Sequence, residues 1–232
     1  MTVVTAPDAI RPVRWPCPGG GDQGDWALAA DRGRPHRILI VPPLFDEMNR
    51  CRHMLVDLMR RLDAAGIDSL LPDLPGCGES LQDFADQSLG AWRGAMASAA
   101  RHFAATHALS LRGGALVVPT VLPGWTLEPS AGHAILRTML RAASMAARAA
   151  GQPQTTAQLL EAGRERGLEL AGYPCSAALI AGLHGAEPAN EGHVVLALSD
   201  LGQPAPWLRS EPAPAPALAE ALARKLADRL AA

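Results

Sequence analysis

Lysine is nearly absent: Lys225 is the only one, so almost every basic side chain is arginine. The four cysteines, Cys17, Cys51, Cys77 and Cys175, form no C-x-x-C pair and have no histidine cluster beside them. That spacing argues against a zinc site and suits reduced thiols in a cytoplasmic protein. No apolar run approaches the ~20 residues needed to span a bilayer. The start, MTVVTAPDAIRPVRW, has no basic segment followed by an apolar one, so no signal peptide is expected. Net charge is only −2, which excludes a general electrostatic affinity for nucleic acid. The glycine-rich stretch at 16–25, PCPGGGDQGD, lacks the Gly-Lys-Ser/Thr ending of a phosphate loop and reads as a hairpin connection between short strands. Neither a metal nor a cofactor is expected from these patterns.

What is present is an alternation of strands and helices over 232 residues, enough for one domain, residues 1–232. HRILIVPP (36–43) is a continuous apolar run closed by two prolines, the pattern of a buried parallel strand. Residues 49–66 carry Met54, Leu55, Leu58, Met59 and Leu62 at helical spacing, with Gly66 as the stop. Strands are expected at 67–74, 108–111, 124–129, 168–174 and 193–200. Helices are expected at 89–105, 131–150, 155–163, 176–183 and a C-terminal stretch with Leu218, Leu222, Leu226 and Leu230. Arg137, Arg141 and Arg148 share one face of the 131–150 helix, read as a solvated face. The fold class expected is α/β, with a mostly parallel sheet covered by helices on both faces. Ligands of such folds sit at the carboxyl ends of the strands.

Three stretches at or beside those strand ends carry a resemblance. VPPLFDEMNRCRHM followed by LLPDLPGCGES resembles the front half of α/β-hydrolases. Together with EPSAGHAILRTMLRAASMA and ELAGYPCSAALIAGL, it is similar to the second type of hydrolase-like proteins associated with the bacterial exosortase A system. The resemblance covers roughly residues 25–200. It implies an α/β-hydrolase-like fold with a reduced lid, the 131–150 helix lying where lids are inserted. It also implies a link to exopolysaccharide and protein-sorting systems, with no substrate attached.

A serine hydrolase of that fold carries its nucleophile in G-x-S-x-G at a strand-to-helix elbow, an acid after a later strand and a histidine after the last one. Here the elbow reads Ser110-Leu111-Arg112-Gly113-Gly114, with arginine in the nucleophile's place. No histidine follows the last expected strand; His133, His184 and His193 read as surface or helix-end residues. Ser110 lies inside the strand with no base to activate it. Cys77 belongs to the turn Asp73-x-x-Gly76-x-Gly78-x-Ser80, read as structural. No catalytic residue is assigned. The expected cleft is formed by Arg112 and Gly113 facing Leu44, Phe45, Asp46 and Glu47. Leu44 or Phe45 matches the backbone position that completes an oxyanion hole in active enzymes of this fold. Arg112 then either pairs with Glu47, the preferred partner, or Asp46, or it binds an anionic ligand. Two functions follow. One is a non-catalytic relative binding a small anion or a protein of the exosortase system. The other is a hydrolase or acyltransferase acting on an ester, thioester or lipid-linked glycan through unconventional residues.

Overall fold

The computed structural model describes residues 10–188 and 191–231. Among the described residues nine strands and seven α-helices follow one another, with four short 3-10 turns among them. Strands β1 (Arg11–Trp15), β2 (Asp25–Ala30), β4 (Asp68–Pro72), β3 (Arg37–Val41), β5 (His107–Leu111), β6 (Gly124–Leu127) and β9 (His193–Leu196) form one sheet in that spatial order. The β1–β2 and β2–β4 pairs are antiparallel and the remaining four pairs are parallel. The glycine-rich stretch at 16–25 is the connection between β1 and β2, as its composition predicts.

The continuous apolar character of the central strands has a direct cause. In β3, Ile38 and Ile40 face one core while Leu39 and Val41 face the other. Both faces are covered, so no position alternates to polar. Helix α1 (Asp46–Ala64) and helix α7 (Pro216–Leu230) cover the first face. Helices α2 (Leu89–His102), α3 (Gly132–Ala149), α4 (Thr156–Arg166) and α5 (Ala177–His184) contribute to the core on the other. Leu136, Met139, Leu159, Leu179 and Leu183 belong to the same buried cluster as Val41 and Trp92, so the helices between β6 and β9 are built into the core. The C-terminal leucine stripe packs within the molecule, chiefly against α1. None of the described helices is long and apolar enough to cross a membrane.

Four expectations need correction. The stretch at 168–174 is not a strand of the parallel sheet. It forms an antiparallel hairpin, β7 (Leu168–Leu170) with β8 (Tyr173–Cys175), off the main sheet. Ala171 (φ 52°) and Gly172 (φ 82°) supply the two left-handed residues that a tight hairpin turn uses. The expected strand at 193–200 ends at Leu196, and α6 (Leu198–Leu201) follows as a single helical turn. Glu128 fixes this break: its Oε1 accepts from the Leu198 N–H at 2.7 Å. After the elbow no α-helix forms. Only a 3-10 turn, Arg112–Leu116, precedes β6, and Pro119 and Pro123 lie in the connection. Finally, His193 is buried, not at the surface.

Candidate functional site

Three neighbouring strand exits meet at Arg112. Each contains a non-glycine residue in the left-handed region: Phe45 (φ 56°) after β3, Arg112 (φ 52°) after β5 and Glu128 (φ 47°) after β6. A side chain at such φ is uncommon and costs on the order of 1 kcal/mol or more. At 112 the backbone therefore turns sharply at the end of β5 and displays a guanidinium. Close packing holds the turn. A Cβ on Gly114 would lie 2.5 Å from the Pro42 carbonyl oxygen, and one on Gly113 would lie 2.8 Å from Ile135 Cδ1 and 3.0 Å from Leu44 Cγ. Gly114 is thus required by the backbone beside it, whereas a Cβ at 113 would meet side chains that can shift.

Arg112 and Glu47 meet in a two-pronged pair. Nε donates to Glu47 Oε2 at 3.1 Å, and Nη2 donates to Oε1 at 3.2 Å. The third arm is also occupied, Nη1 donating to the Glu128 carbonyl at 3.1 Å. The guanidinium carbon lies 5.0 Å from the centre of the Trp207 ring, within cation–π range. Trp207 is itself buried, and its carbonyl accepts from Arg50 Nη1 at 2.9 Å. Arg50 also donates to Asp46, so Asp46 is committed within α1 and does not reach Arg112. Leu44 and Phe45 are buried, Phe45 against Tyr173, Trp92 and Phe84 at ring separations of 5.3, 6.0 and 6.2 Å. In the expected charged cleft Arg112 meets Glu47, with Trp207 beside the guanidinium.

The alternative nucleophiles are all committed. Ser110 is fully buried, and its Oγ lies 2.9 Å from Thr126 Oγ1. Thr126 Oγ1 lies 3.4 Å from His193 Nδ1, whose Nε2 donates to the Leu122 carbonyl at 2.9 Å. This serine–threonine–histidine chain runs across three adjacent strands and is closed off from substrate. The sequence conceals it because Thr126 in β6 and His193 in β9 lie 67 positions apart. Ser80 Oγ accepts from the Gly76 and Gln82 amides at 3.0 and 3.3 Å, which makes it a turn-former. Cys77, in the same turn, has its thiol pushed up to about 12 by burial and by the neighbouring Asp73 carboxylate. It is a poor nucleophile near neutral pH. Among the described residues no group of three or more His, Cys, Asp or Glu is placed to hold a metal.

The contacts missed from sequence are Trp207, Glu128 and Ile135. Trp207 sits in a proline-bounded segment 95 positions beyond Arg112 with no local pattern to announce its partner. The Arg112 and Glu47 side chains retain 21% and 28% of their exposure, between a surface pair and a sealed one. Arg112→Ala is therefore expected to cost about 2 kcal/mol, between the surface and fully buried limits. A double-mutant cycle with Glu47→Gln, read by urea unfolding, should show coupling of about 1 kcal/mol or more. Coupling near zero would show that the pair carries nothing.

No family model matches the sequence, and no curated protein matches it. Similar solved structures include α/β hydrolase domain-containing protein 10 from mouse, at 13% identity with a TM-score of 0.42 over 56% of this chain and 54% of that one. An epoxide hydrolase from Vigna radiata is 14% identical, with a TM-score of 0.38 over 53% of this chain and 39% of the other. A 2-hydroxy-6-oxo-6-phenylhexa-2,4-dienoate hydrolase from Rhodococcus sp. strain RHA1 is 16% identical, with a TM-score of 0.39 over 51% and 46%. The likeness thus spans about half or less of each of these proteins. The chain has an α/β fold with a mostly parallel, mixed sheet.

Proposed function

We propose that this protein is a non-catalytic relative of the α/β-hydrolases, acting by binding within the exosortase and exopolysaccharide system that its sequence resembles, in the cytoplasm. One observation carries the reading. The elbow that presents a nucleophile in active enzymes presents Arg112, and all three arms of that guanidinium are spent on Glu47 and Glu128. With three of its five N–H donors engaged, Arg112 has fewer to offer a small anion, which favours a protein of that system as the partner. The alternative, a hydrolase or acyltransferase with unconventional residues, has no group to begin it. Ser110 is sealed in the sheet, Ser80 holds a turn, and the Cys77 thiol is pushed up.

Labelling with a fluorophosphonate serine probe tests this. Neither the native protein nor Arg112→Ser is expected to be labelled, because no histidine is placed to activate a hydroxyl at 112. Label on Ser110 or Ser80 of the native protein would overturn the non-catalytic reading. Quantitative affinity capture from the native host should return components of exopolysaccharide assembly or sorting. A capture without them would remove the association.

A further inference from the structure

Charge is unevenly shared along this chain. Helix α3 carries Arg137, Arg141 and Arg148 and no carboxylate, so this one helix holds +3 in a chain whose net charge is −2. Elsewhere Arg32, Arg34, Arg37, Arg50, Arg52, Arg61, Arg112 and Arg224 each reach an acidic side chain, while others such as Arg14 and Arg93 bond backbone carbonyls instead. Among the described residues the three on α3 reach none. They lie on one exposed stripe at i, i+4 and i+11.

The second half of α3 is only lightly packed, Ala143 touching the core and Ser144 Oγ donating to the Gln154 carbonyl. Its buried residues, Gly132, Leu136, Met139 and Leu140, all fall in the first half. From Arg141 to Ala149 none is buried, and Met145 is 73% exposed. Beside the arginines, the exposed positions are Ala142, Met145, Ala146 and Ala149. The end of the helix therefore presents a basic edge beside a shallow apolar strip. Arginines lying beside an apolar strip are the arrangement by which a helix rests in the headgroup layer.

We infer that the exposed face of α3 docks this protein reversibly on an anionic lipid bilayer, the arginines meeting phosphate headgroups and Met145 entering the acyl boundary. This stands apart from the reading of the elbow and does not depend on it. The full-length protein is mixed with vesicles of phosphatidylcholine alone or with 40% phosphatidylglycerol and sedimented at low ionic strength. Binding is expected only to the anionic vesicles and is expected to collapse at high salt. Each Arg137→Gln or Arg141→Gln should weaken it roughly fivefold, and Met145→Gln should weaken it without changing the charge. The substituted positions are exposed, so thermal unfolding serves as the check that each variant is folded. Equal binding to both vesicle types, no binding, or binding unchanged by the arginine substitutions would overturn the inference. Binding to soluble polyglutamate without binding to vesicles would overturn it too, and would assign the stripe to an acidic polymer instead.

Discussion

Replacing Asp68 with alanine should cost about 3–5 kcal/mol of stability, the range for stripping one partner from a buried, hydrogen-bonded charge. Asp68 opens β4 at the end of the sheet remote from Arg112, and it is fully buried. Its Oδ1 accepts from the Arg32 amide at 3.1 Å, and its Oδ2 accepts from the Arg34 amide at 2.9 Å and from Arg37 Nη1 at 3.0 Å. The two amides shape the turn between β2 and β3, so the carboxylate sets the geometry with which β3 enters the sheet. Neighbouring carboxylates cannot replace it: Asp31 is held by Arg37, and Asp63 by Arg32 and Arg34. Asp68→Asn keeps acceptor capacity and should recover part of the loss. Guanidinium unfolding of the two variants measures both effects. A loss under about 1 kcal/mol for alanine would place the cluster with ordinary surface pairs.

Raising the pH should destabilise the protein through its thiols. Burial pushes Cys51 up to about 12 and Cys175 up to about 11, from an ordinary value of 9.0, and Cys17 and Cys77 are pushed the same way. Unfolded thiols ionise from about pH 9 while the folded ones keep their protons. The folded state then binds more protons, so stability falls as pH rises. The stabilising contribution is complete below 9 and is lost as pH climbs through 11 and 12. At pH 10.5, Cys51 and Cys175 alone should remove about 4 kcal/mol, at 1.36 kcal/mol per unit of separation. Denaturant melts at pH 8 and 10.5 check the size, and Cys51→Ala should flatten the dependence. A stability unchanged up to pH 10.5 would contradict the burial of these groups. The same shifts predict slow reaction with thiol reagents in the native state and rapid reaction of all four cysteines on unfolding.

The fold was legible where periodicity is local. The runs at 36–43 and 67–74 and the leucine spacing of 49–66 report burial on two faces or one, and β3, β4 and α1 lie there. Legibility failed where a distant residue decided the outcome. Glu128 ends β9 through the Leu198 amide, 70 positions away. Trp207 covers Arg112 from a segment whose own sequence shows only prolines. The elbow itself was readable, because Gly113 and Gly114 mark a turn crowded by Leu44 and the Pro42 carbonyl. That Glu47 rather than Asp46 meets Arg112 follows from helical direction, since Asp46 is one turn from Arg50 and pairs with it. The aromatic packing beside the site was not readable, since Phe45 meets Phe84, Trp92 and Tyr173 from separate elements.

The packing of α7 on α1 has a consequence for synthesis. Leu55, Leu58 and Leu62 of α1 share a core with Leu218, Leu222 and Leu226 of α7. Residue 64 ends one helix and residue 216 begins the other. At elongation rates of about 5–20 residues per second, the ribosome needs on the order of 10–30 s to make the intervening chain. Through that interval the apolar face of α1 awaits its cover, and the opposite core, which includes Leu179, Ile180 and Leu183, is completed only shortly before α7 is made. A holdase recognising leucine- and methionine-rich helices would find its target at residues 54–62 until the last helix emerges.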